Sequence, residues 1–564
     1  MSICVTQAAC AKGLSSLNSS LLLHETVAHN VSLGRSTYVT FFDTKKAFDT
    51  VWIDGLFYML YVRGVRGKLW RLLRSAYMDC LCAVLLGGKL SSWFKLLQGV
   101  KQGAIISMLL YICFINGLML EVMDSNLGTV VLEVESGCVG YADDLAFITN
   151  SAVNMQLLID SAKRYSSMWR FQFGIQKCAT LVFNSHQRHE FTLGAEKIGI
   201  RKEYTHVGIP CLSSGAISKS AIQARIDACR GAFYATLGCS LVNTTLSPSA
   251  LSKIYWACAI PKLLYGCEVR SYSDTEIVEY EKFHRSMARN IQCLPSNVPN
   301  PAVTASMGWR SVLSYIHICR LNFILRILSL DPKSIYRVLY IRRFYYVLYS
   351  SPQTMAGPVA ESVRLCVTYQ LLDNVLQMFE SGVSLSKGMW KRLVLKAVDD
   401  RDHATWRFEL SLYPRLRIYR VVVSVRSNIC WWRLAKNLPF LKKPCATMVR
   451  LVCGSSVLAE FKQVQLPRDQ RLCKQCLSNV VEDLYHFVMH CSCFSYSRTS
   501  MFDSIRSSLS MSGCILWDSL GIIMQANVIM GLDFPFSHDD IFLIRKIACI
   551  SVHKMYFQRS SLEA

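Results

Sequence analysis

Three aspartates stand at positions where their carboxylates could hold divalent metal ions. Asp43 follows residues 38–42, whose β-branched and aromatic side chains predict a strand. Asp143 and Asp144 lie between the apolar arms of residues 139–149, a pattern that predicts a β-hairpin. Carboxylate oxygens suit Mg²⁺, and two such ions about 4 Å apart serve nucleotidyl transfer. Aspartate is also common in solvated turns. Asp143 and Asp144 alone therefore fit either a metal site or an ordinary turn.

A second group of residues has the composition of a zinc site. Three cysteines and one histidine are spaced as CxxC and HxxxxC pairs separated by nine residues: Cys473, Cys476, His486 and Cys491. Three thiolates and an imidazole are enough to close a tetrahedral structural Zn²⁺ site. The chain has 24 cysteines, so ordinary buried thiols are the alternative, and Cys493 and His490 lie close by in sequence.

Composition limits the classes of protein to be considered. With 564 residues the chain predicts roughly two to four folded units. A formal charge of +23 and a pI near 9.2 favour polyanionic partners. The cysteines show no regular disulfide framework, and the first residues show no basic and apolar leader. We therefore expect an intracellular protein of the nucleus and cytoplasm that is not secreted.

One segment is apolar enough to raise the question of a membrane. Residues 102–120 contain no charge and could span about 30 Å as a helix. Gln102, Ser107, Asn116 and two glycines interrupt the segment, and no comparable one recurs. A helix that is apolar on all sides is also typical of the core of a large protein. The sequence thus predicts a core helix and no membrane partner.

The motifs around the aspartates resemble those of one polymerase family. The sequence FFDTKKAFDTVW at 41–52 resembles the first palm motif of non-LTR, LINE-type retrotransposon reverse transcriptases. GVKQGAIIS at 99–107 is similar to the second motif, and GYADD at 140–144 to the catalytic hairpin. KCATLVF at 177–183 and YTHVGI at 204–209 are weaker likenesses to a lysine motif and to the primer grip. Residues 255–270, with PKLLYGCEV inside them, are similar to the helical thumb segment. The cysteine and histidine block at 471–491 resembles the C-terminal motif of many such elements.

This resemblance implies an α+β fold with a right-hand polymerase palm, in which helices pack on an antiparallel sheet. It also implies incomplete fingers, a helical thumb and a mostly helical C-terminal region with a small zinc module. The predicted divisions are a residual fingers segment (1–37), palm and primer grip (38–215), thumb (216–330), basic helical connector (331–440), zinc module (441–500) and a C-terminal tail of unknown role (501–564).

The resemblance also implies a role for individual residues. Asp43, Asp143 and Asp144 would bind two Mg²⁺ ions, and Phe48 would lie beneath the sugar and exclude a 2′-hydroxyl. Gln102 and Gly103 would position nucleotide and template. Lys177 would support the phosphates, although it could also be an ordinary surface lysine. Phe48 could likewise be an ordinary core residue. Cys473, Cys476, His486 and Cys491 would bind a structural Zn²⁺, and Arg468, Arg471 and Lys474 near them would contact template RNA or target DNA.

A basic and aromatic segment lies upstream of the cysteine block. Its arginines alternate with rings: Arg415, Arg417, Arg420, Arg426 and Arg433 with Tyr413, Tyr419, Trp431 and Trp432. Such a mixture suits phosphate neutralisation and base stacking. A basic face over an aromatic core is the equally open alternative.

Taken with the family, the motifs predict an RNA-directed DNA polymerase that extends a DNA primer on template RNA with dNTPs. Two departures stand out: Ser107-Met108 replaces the usual Ser-Pro, and 42 residues precede Asp43 where a long fingers region is expected. The second departure motivates an alternative, an inactive remnant that still binds nucleic acid. The oligomeric state stays open.

Overall fold

The computed structural model describes the chain apart from residues 1–2, 186, 188, 214–216, 238–245, 351–353, 464, 477 and 562–564. It divides into two compact units. The first comprises Met1–Ser218, Tyr265–Ser273 and Ile316–Leu395, and the second Lys219–Leu264, Asp274–Tyr315 and Lys396–Ala564.

All strands of the described residues lie in the first unit. They are β1 (Thr37–Phe42), β2 (Leu81–Cys82), β3 (Leu85–Leu86), β4 (Lys89–Leu90), β5 (Phe94–Lys95), β6 (Val130–Val131), β7 (Val134–Glu135), β8 (Cys138–Tyr141), β9 (Asp144–Thr149), β10 (Ala179–Phe183), β11 (Phe191–Leu193), β12 (Glu196–Arg201), β13 (Glu203–His206) and β14 (Ile209–Leu212).

Helices make up most of the remaining described chain. They are α1 (Ser16–Ser32), α2 (Ile53–Val62), α3 (Gly67–Ser75), α4 (Ser107–Asp124), α5 (Ala152–Met168), α6 (Lys219–Leu237), α7 (Pro248–Ile254), α8 (Ile260–Leu263), α9 (Asp274–Gln292), α10 (Asn300–Ala305), α11 (Val312–Leu328), α12 (Ile335–Ser350), α13 (Pro358–Thr368), α14 (Leu372–Ser381), α15 (Lys387–Ser411), α16 (Arg417–Val422), α17 (Cys430–Asn437), α18 (Lys442–Val452), α19 (Ala459–Lys462), α20 (Ser495–Ser508), α21 (Met511–Ser519), α22 (Ile522–Ile529) and α23 (His538–Ser561).

A six-stranded sheet in the order β11-β12-β10-β1-β9-β8 forms the framework of the first unit. Strand β1 is central and fully buried, as its β-branched and aromatic residues require, and it pairs antiparallel with both β9 and β10. The predicted antiparallel palm sheet is therefore found, with one departure. Strands β10 and β12 run parallel, so the sheet is mixed.

Helix α4 belongs to the hydrophobic core that covers this sheet. Its side chains Tyr111, Phe114 and Leu118 are buried with Phe147 of β9 and Leu158 of α5. Within the described part of the chain, α4 is the one helix long and apolar enough to cross a membrane, and 61% of it is buried. The prediction of a core helix here agrees with this burial.

The N-terminal segment completes the edge of the sheet next to β8. Gln7 forms a parallel bridge with Gly140, and the amide of Ala8 donates to the carbonyl of Gly140 at 3.0 Å. The buried Gln7 side chain accepts a hydrogen bond from the amide of Ala142 at 2.9 Å. The segment predicted as residual fingers therefore supports the hairpin of β8 and β9 directly.

A buried ion pair joins three helices of the first unit. Arg343 of α12 donates from Nε to Glu25 of α1 at 2.6 Å, and neither side chain is exposed. The second carboxylate oxygen of Glu25 accepts from the amide of Val359 in α13 at 2.9 Å. Burial raises the pKa of Glu25, because water no longer solvates its charge.

The second unit is helical and packs around aromatic side chains. Tyr255 and Trp309 stack with ring centroids 4.6 Å apart, and the buried His284 bonds the Tyr255 hydroxyl at 3.0 Å. The predicted tail is an ordered part of this unit, since α23 contacts α18 and α20. Its Arg559 donates to Glu482 at 3.0 Å, and both side chains are buried.

Local predictions from the sequence agree well with these elements. The strand at 38–42 and the hairpin of β8 and β9 are both present. The domain boundaries stay predictions, and the one between 215 and 216 lies outside the described residues.

Replacing Arg343 by Met is expected to lower the free energy of unfolding of the first unit by about 3 kcal/mol, because Glu25 is left buried without its partner. The neighbouring Arg342 forms a solvent-exposed pair with Glu133, so Arg342→Met should cost less than about 1 kcal/mol. Denaturant unfolding of the full chain measures both. Equal losses of unfolding free energy in the two single variants would contradict the role of the buried pair. The role would be supported if the double variant Glu25→Gln/Arg343→Met regains part of the free energy of unfolding that Arg343→Met loses.

Candidate active site and metal-binding clusters

The three candidate aspartates meet at one end of the central sheet. Phe42, the last residue of β1, is paired with Leu145 of β9. Asp43 directly follows β1, so a continuation of this register places it beside Asp144. Asp143 lies in the turn between β8 and β9, where Ala142 adopts a left-handed conformation with φ of 58°. The sheet therefore brings together the carboxylates that the sequence singled out.

The electrostatics of this group indicate crowded negative charge. Burial, followed by the charges of Asp143 and Asp43, raises the pKa of Asp144 to about 6. Burial and Asp43 also raise the pKa of Asp143. A carboxylate whose charged form is disfavoured in this way is stabilised by a bound cation. Carboxylate oxygens that influence one another in this way are the hard donors that suit Mg²⁺.

Lys177 is the cation nearest to this cluster among the predicted site residues. Its ammonium group lies 3.5 Å from the carboxylate of Asp43. The loop that carries it is held against Asp43, because the amide of Gly174 donates to the Asp43 carbonyl at 2.7 Å. A Cβ at Gly174 would lie 3.1 Å from the Asp43 carboxylate, so glycine permits this close approach.

A cavity of about 750 Å³ opens beside Asp43, within the usual size of small-molecule sites. Four cationic side chains line it: Lys45, Lys46, Arg170 and Lys177. The sequence analysis singled out only Lys177 of these. Lys45 and Lys46 stand inside the first motif, but Arg170 reaches the cavity through its contact with Trp52, 4.0 Å from the ring centroid. No local pattern marked that contact.

The remaining predicted residues lie on two neighbouring segments. Phe48 stacks on the Tyr111 ring with centroids 5.1 Å apart and is only partly buried. Its carbonyl accepts from the amide of Val100 at 2.7 Å, so the second motif runs alongside the first. Gln102 donates to the carboxylate of Asp49 at 2.9 Å. Gly103 is exposed with φ of 86°, and no atom lies within 4 Å of the position of a Cβ there.

The cysteine and histidine group is assembled in the second unit. The ligand atoms of Cys473, Cys476, His486 and Cys491 all lie within 4.8 Å of one another. Cys476 Sγ and His486 Nε2 are 3.3 Å apart, close to the separation of about 3.5 Å that a tetrahedral Zn²⁺ imposes on sulfur and nitrogen ligands. This group could bind zinc. Cys493 lies outside it and donates to the carbonyl of Gln475.

Neighbouring contacts fix the loops of this cluster. A bridge between Leu472 and Val481 positions the first cysteine pair, and the amide of His486 donates to Asp483 at 2.8 Å. Glu482, between these two points, accepts from the buried Arg559 and from the amide of Ala459. The C-terminal helix therefore supports the loops of this cysteine and histidine group.

One prediction about nucleic-acid contacts needs correction. Tyr419, Trp431 and Trp432 are fully buried, so the stacking hypothesis for these rings is wrong and the aromatic-core alternative holds. Arg468 pairs with Glu460 and Asp483, and Arg471 donates to the carbonyls of Leu466 and Glu460. Both arginines have partners within the protein, but the Arg468 side chain is 53% exposed and Lys474 is exposed, so the predicted contacts of Arg468, Arg471 and Lys474 with nucleic acid stay predictions.

The sheet, the aspartate cluster and the adjoining basic cavity together define a polymerase palm. Residues 6–209 match the family model described as reverse transcriptase (RNA-dependent DNA polymerase), so this segment is a reverse transcriptase domain.

Its curated relatives include proteins of mobile elements. The RNA-directed DNA polymerase from mobile element jockey of Drosophila funebris is 27% identical over 177 residues, which are 30% of this chain and 19% of that protein. The Pol polyprotein from the type-2 retrotransposable element R2DM of Drosophila melanogaster is 23% identical over 194 residues, 32% of this chain and 18% of that protein. The match thus spans less than a fifth of either relative.

Among solved structures, the chain is similar to a telomerase from Candida tropicalis in complex with a TWJ fragment of telomeric RNA. The matched region covers 56% of this chain and 52% of the telomerase chain. The identity is 13% and the TM-score 0.26, too low a likeness to support an argument about the fold.

The raised pKa of Asp144 predicts a pH-dependent stability. Without Mg²⁺, Asp144→Asn should raise the Tm of the first unit by about 2 °C at pH 7.5, because it removes a charge that the folded state disfavours. An acid with a raised folded-state pKa destabilises the fold when ionised, so the gain should shrink as the pH falls below 6 and vanish near the unfolded value of about 3.9. Calorimetry against pH measures it.

The exposed Asp160 on α5 offers the control variant Asp160→Asn, for which no gain is expected. A gain of Asp144→Asn that stays constant down to pH 4 would contradict the electrostatic origin.

Proposed function

We propose that this chain is an RNA-directed DNA polymerase of a non-LTR retrotransposon, which extends a DNA primer on an RNA template. The observation that carries the proposal is the register of β1 and β9, which aligns Asp43 with Asp144 beside a cavity lined by four cations. The reverse transcriptase match and the mobile-element relatives support the same reaction.

In the proposed reaction the primer 3′-oxygen attacks the α-phosphorus of a dNTP, and the bond to pyrophosphate breaks. Two Mg²⁺ ions held by Asp43, Asp143 and Asp144 would activate the attacking oxygen and stabilise charge on the leaving group. Lys45, Lys46, Arg170 and Lys177 would bind the triphosphate from the cavity. Lys177 would exchange its contact with Asp43 for one with phosphate when the metal ions neutralise that carboxylate.

The nucleotide sugar is proposed to rest on Phe48. The Tyr111 ring stacked behind Phe48 limits its movement, so a 2′-hydroxyl would collide with the ring. Gln102, held by Asp49, would contact the nucleotide, and the open backbone at Gly103 would allow the template to approach closely. Template RNA, primer or target DNA and dNTPs are the proposed partners, in the nucleus and cytoplasm.

Primer extension on an RNA template with Mg²⁺ tests the polymerase. Asp143→Asn is expected to lower incorporation of dNTPs by at least about a thousandfold, because it removes a metal ligand in the transition state. Asp160→Asn, on the exposed face of α5, should retain the wild-type rate.

If neither the wild type nor Asp143→Asn extends the primer while both bind RNA in a salt-sensitive way, the proposal fails in favour of the inactive remnant. Activity that survives Asp143→Asn would instead show that the aspartate cluster has been misassigned.

We further propose that Cys473, Cys476, His486 and Cys491 bind one structural Zn²⁺. The donor set and the 3.3 Å separation of Cys476 Sγ from His486 Nε2 support this assignment. Burial lowers the pKa of His486, which favours the neutral imidazole that a metal requires. The metal would close loops that already depend on Glu482 and Arg559.

Cys476→Ser is expected to reduce the zinc content of the purified chain by one equivalent and to lower the Tm of the second unit, since the metal contributes folding free energy. Cys493→Ser removes an exposed thiol outside the group and should change neither quantity. Elemental analysis and calorimetry provide the two measurements. An unchanged zinc content in Cys476→Ser would contradict the site.

A further inference from the structure

A second group of metal-ligand side chains lies in the first unit, away from the aspartates and with no part in the proposed reaction. The ligand atoms of Cys267, Glu268 and Cys319 lie within 4.8 Å of one another. Cys267 and Glu268 follow each other in the segment Tyr265–Ser273, and Cys319 lies on α11. Two separate parts of the chain therefore contribute ligands.

One ligand separation in this group matches that of a tetrahedral metal site. Cys267 Sγ and a carboxylate oxygen of Glu268 are 3.6 Å apart. A tetrahedral Zn²⁺ with bonds of about 2.3 Å to sulfur and about 2.0 Å to oxygen would separate the two atoms by about 3.5 Å. The side chains thus need little movement to bind a common ion.

The three residues differ in their exposure to solvent. Cys267 is 2% exposed, whereas Cys319 and Glu268 are partly exposed. Both of these line a cavity of about 580 Å³, from which water can reach the fourth position. Three protein ligands and one water form a known zinc arrangement.

The surrounding charge also suits a dication held by three anionic ligands. Two thiolates and a carboxylate leave one net negative charge after a divalent ion has bound. Arg326, Lys387 and Lys391 line the same cavity and can balance that charge. The buried Arg320 donates to the carbonyl of Cys267 at 2.9 Å and fixes the backbone of the ligand pair.

We propose that Cys267, Glu268 and Cys319 form a second metal site, which binds Zn²⁺ or a similar thiophilic dication with water as the fourth ligand. Thiolate ligands select such an ion over Mg²⁺ or Ca²⁺. The ion would join the segment Tyr265–Ser273 to α11 independently of the cysteine and histidine group at 473–491.

The site has a structural consequence for the predicted primer grip. Gly266 packs so closely on β14 that a Cβ there would lie 2.6 Å from the Ile209 side chain, and the ring of Tyr265 covers Gly208. Gly208 and Ile209 form the turn and the start of β14. An ion at Cys267 would therefore stabilise the segment that supports this turn.

Anaerobic titration of the reduced full chain with Co²⁺ tests the proposal through the thiolate-to-cobalt absorption band. The wild type should bind two equivalents, and Cys319→Ser and Cys476→Ser one each. The double variant should show no thiolate-to-cobalt band. Cys258→Ser, which removes another half-buried thiol, should still bind two. Equal stoichiometry in the wild type and Cys319→Ser would overturn the proposal.

Alkylation of the wild type avoids any dependence on the folding of a variant. One equivalent of Zn²⁺ beyond that needed to fill the 473–491 group should slow iodoacetamide modification of Cys319 about tenfold, because a coordinated thiolate is not free to react. The modification of Cys258 should not change. A Cys319 modification rate that does not depend on Zn²⁺ would overturn the proposal. The proposal would also fail if a reductant removed the protection, because the protection would then come from a disulfide between Cys267 and Cys319 and not from a metal ion.

Discussion

The pairing of β1 with β9 is the interaction on which the candidate active site depends. Because each residue along a strand has a fixed partner, the pairing of Phe42 with Leu145 leaves Asp43 next to Asp144 at the end of the sheet. A register shift by one residue would turn these side chains to the opposite face. The burial of all six residues of β1 makes such a shift costly, so the hydrophobic core fixes the geometry of the candidate site.

The same arrangement concentrates negative charge that the fold must tolerate. The raised pKa values of Asp143 and Asp144 show the cost of bringing three carboxylates together in a partly buried place. Gln7 supports the turn through the amide of Ala142, and Lys177 contributes a positive charge at Asp43. Backbone hydrogen bonds and a nearby cation thus hold a cluster that becomes more favourable once divalent ions bind.

Buried ion pairs perform a comparable task in each unit. Glu25 and Arg343 link α1 to α12, while Glu482 and Arg559 tie the loops of the cysteine and histidine group to α23. Such pairs add little net stability over apolar contacts, but the loss of one partner is costly. They therefore fix which helices meet. The predicted tail, α20–α23, acquires a role in this way, since its last helix supports a candidate metal site.

The sequence by itself determined the local elements and the chemistry of the motifs. Strand β1, the hairpin around Asp143 and the CxxC and HxxxxC pairs follow from side-chain periodicity and from residues next to one another in the chain. Only the tertiary structure decided which distant residues meet. Contacts between residues far apart in sequence bring Gln7 to Ala142, Arg170 to the cavity that Lys45 lines, and Cys319 to Cys267. The burial of Trp431 depends on such contacts as well. Local patterns carry no record of such contacts, because packing of the whole core selects them.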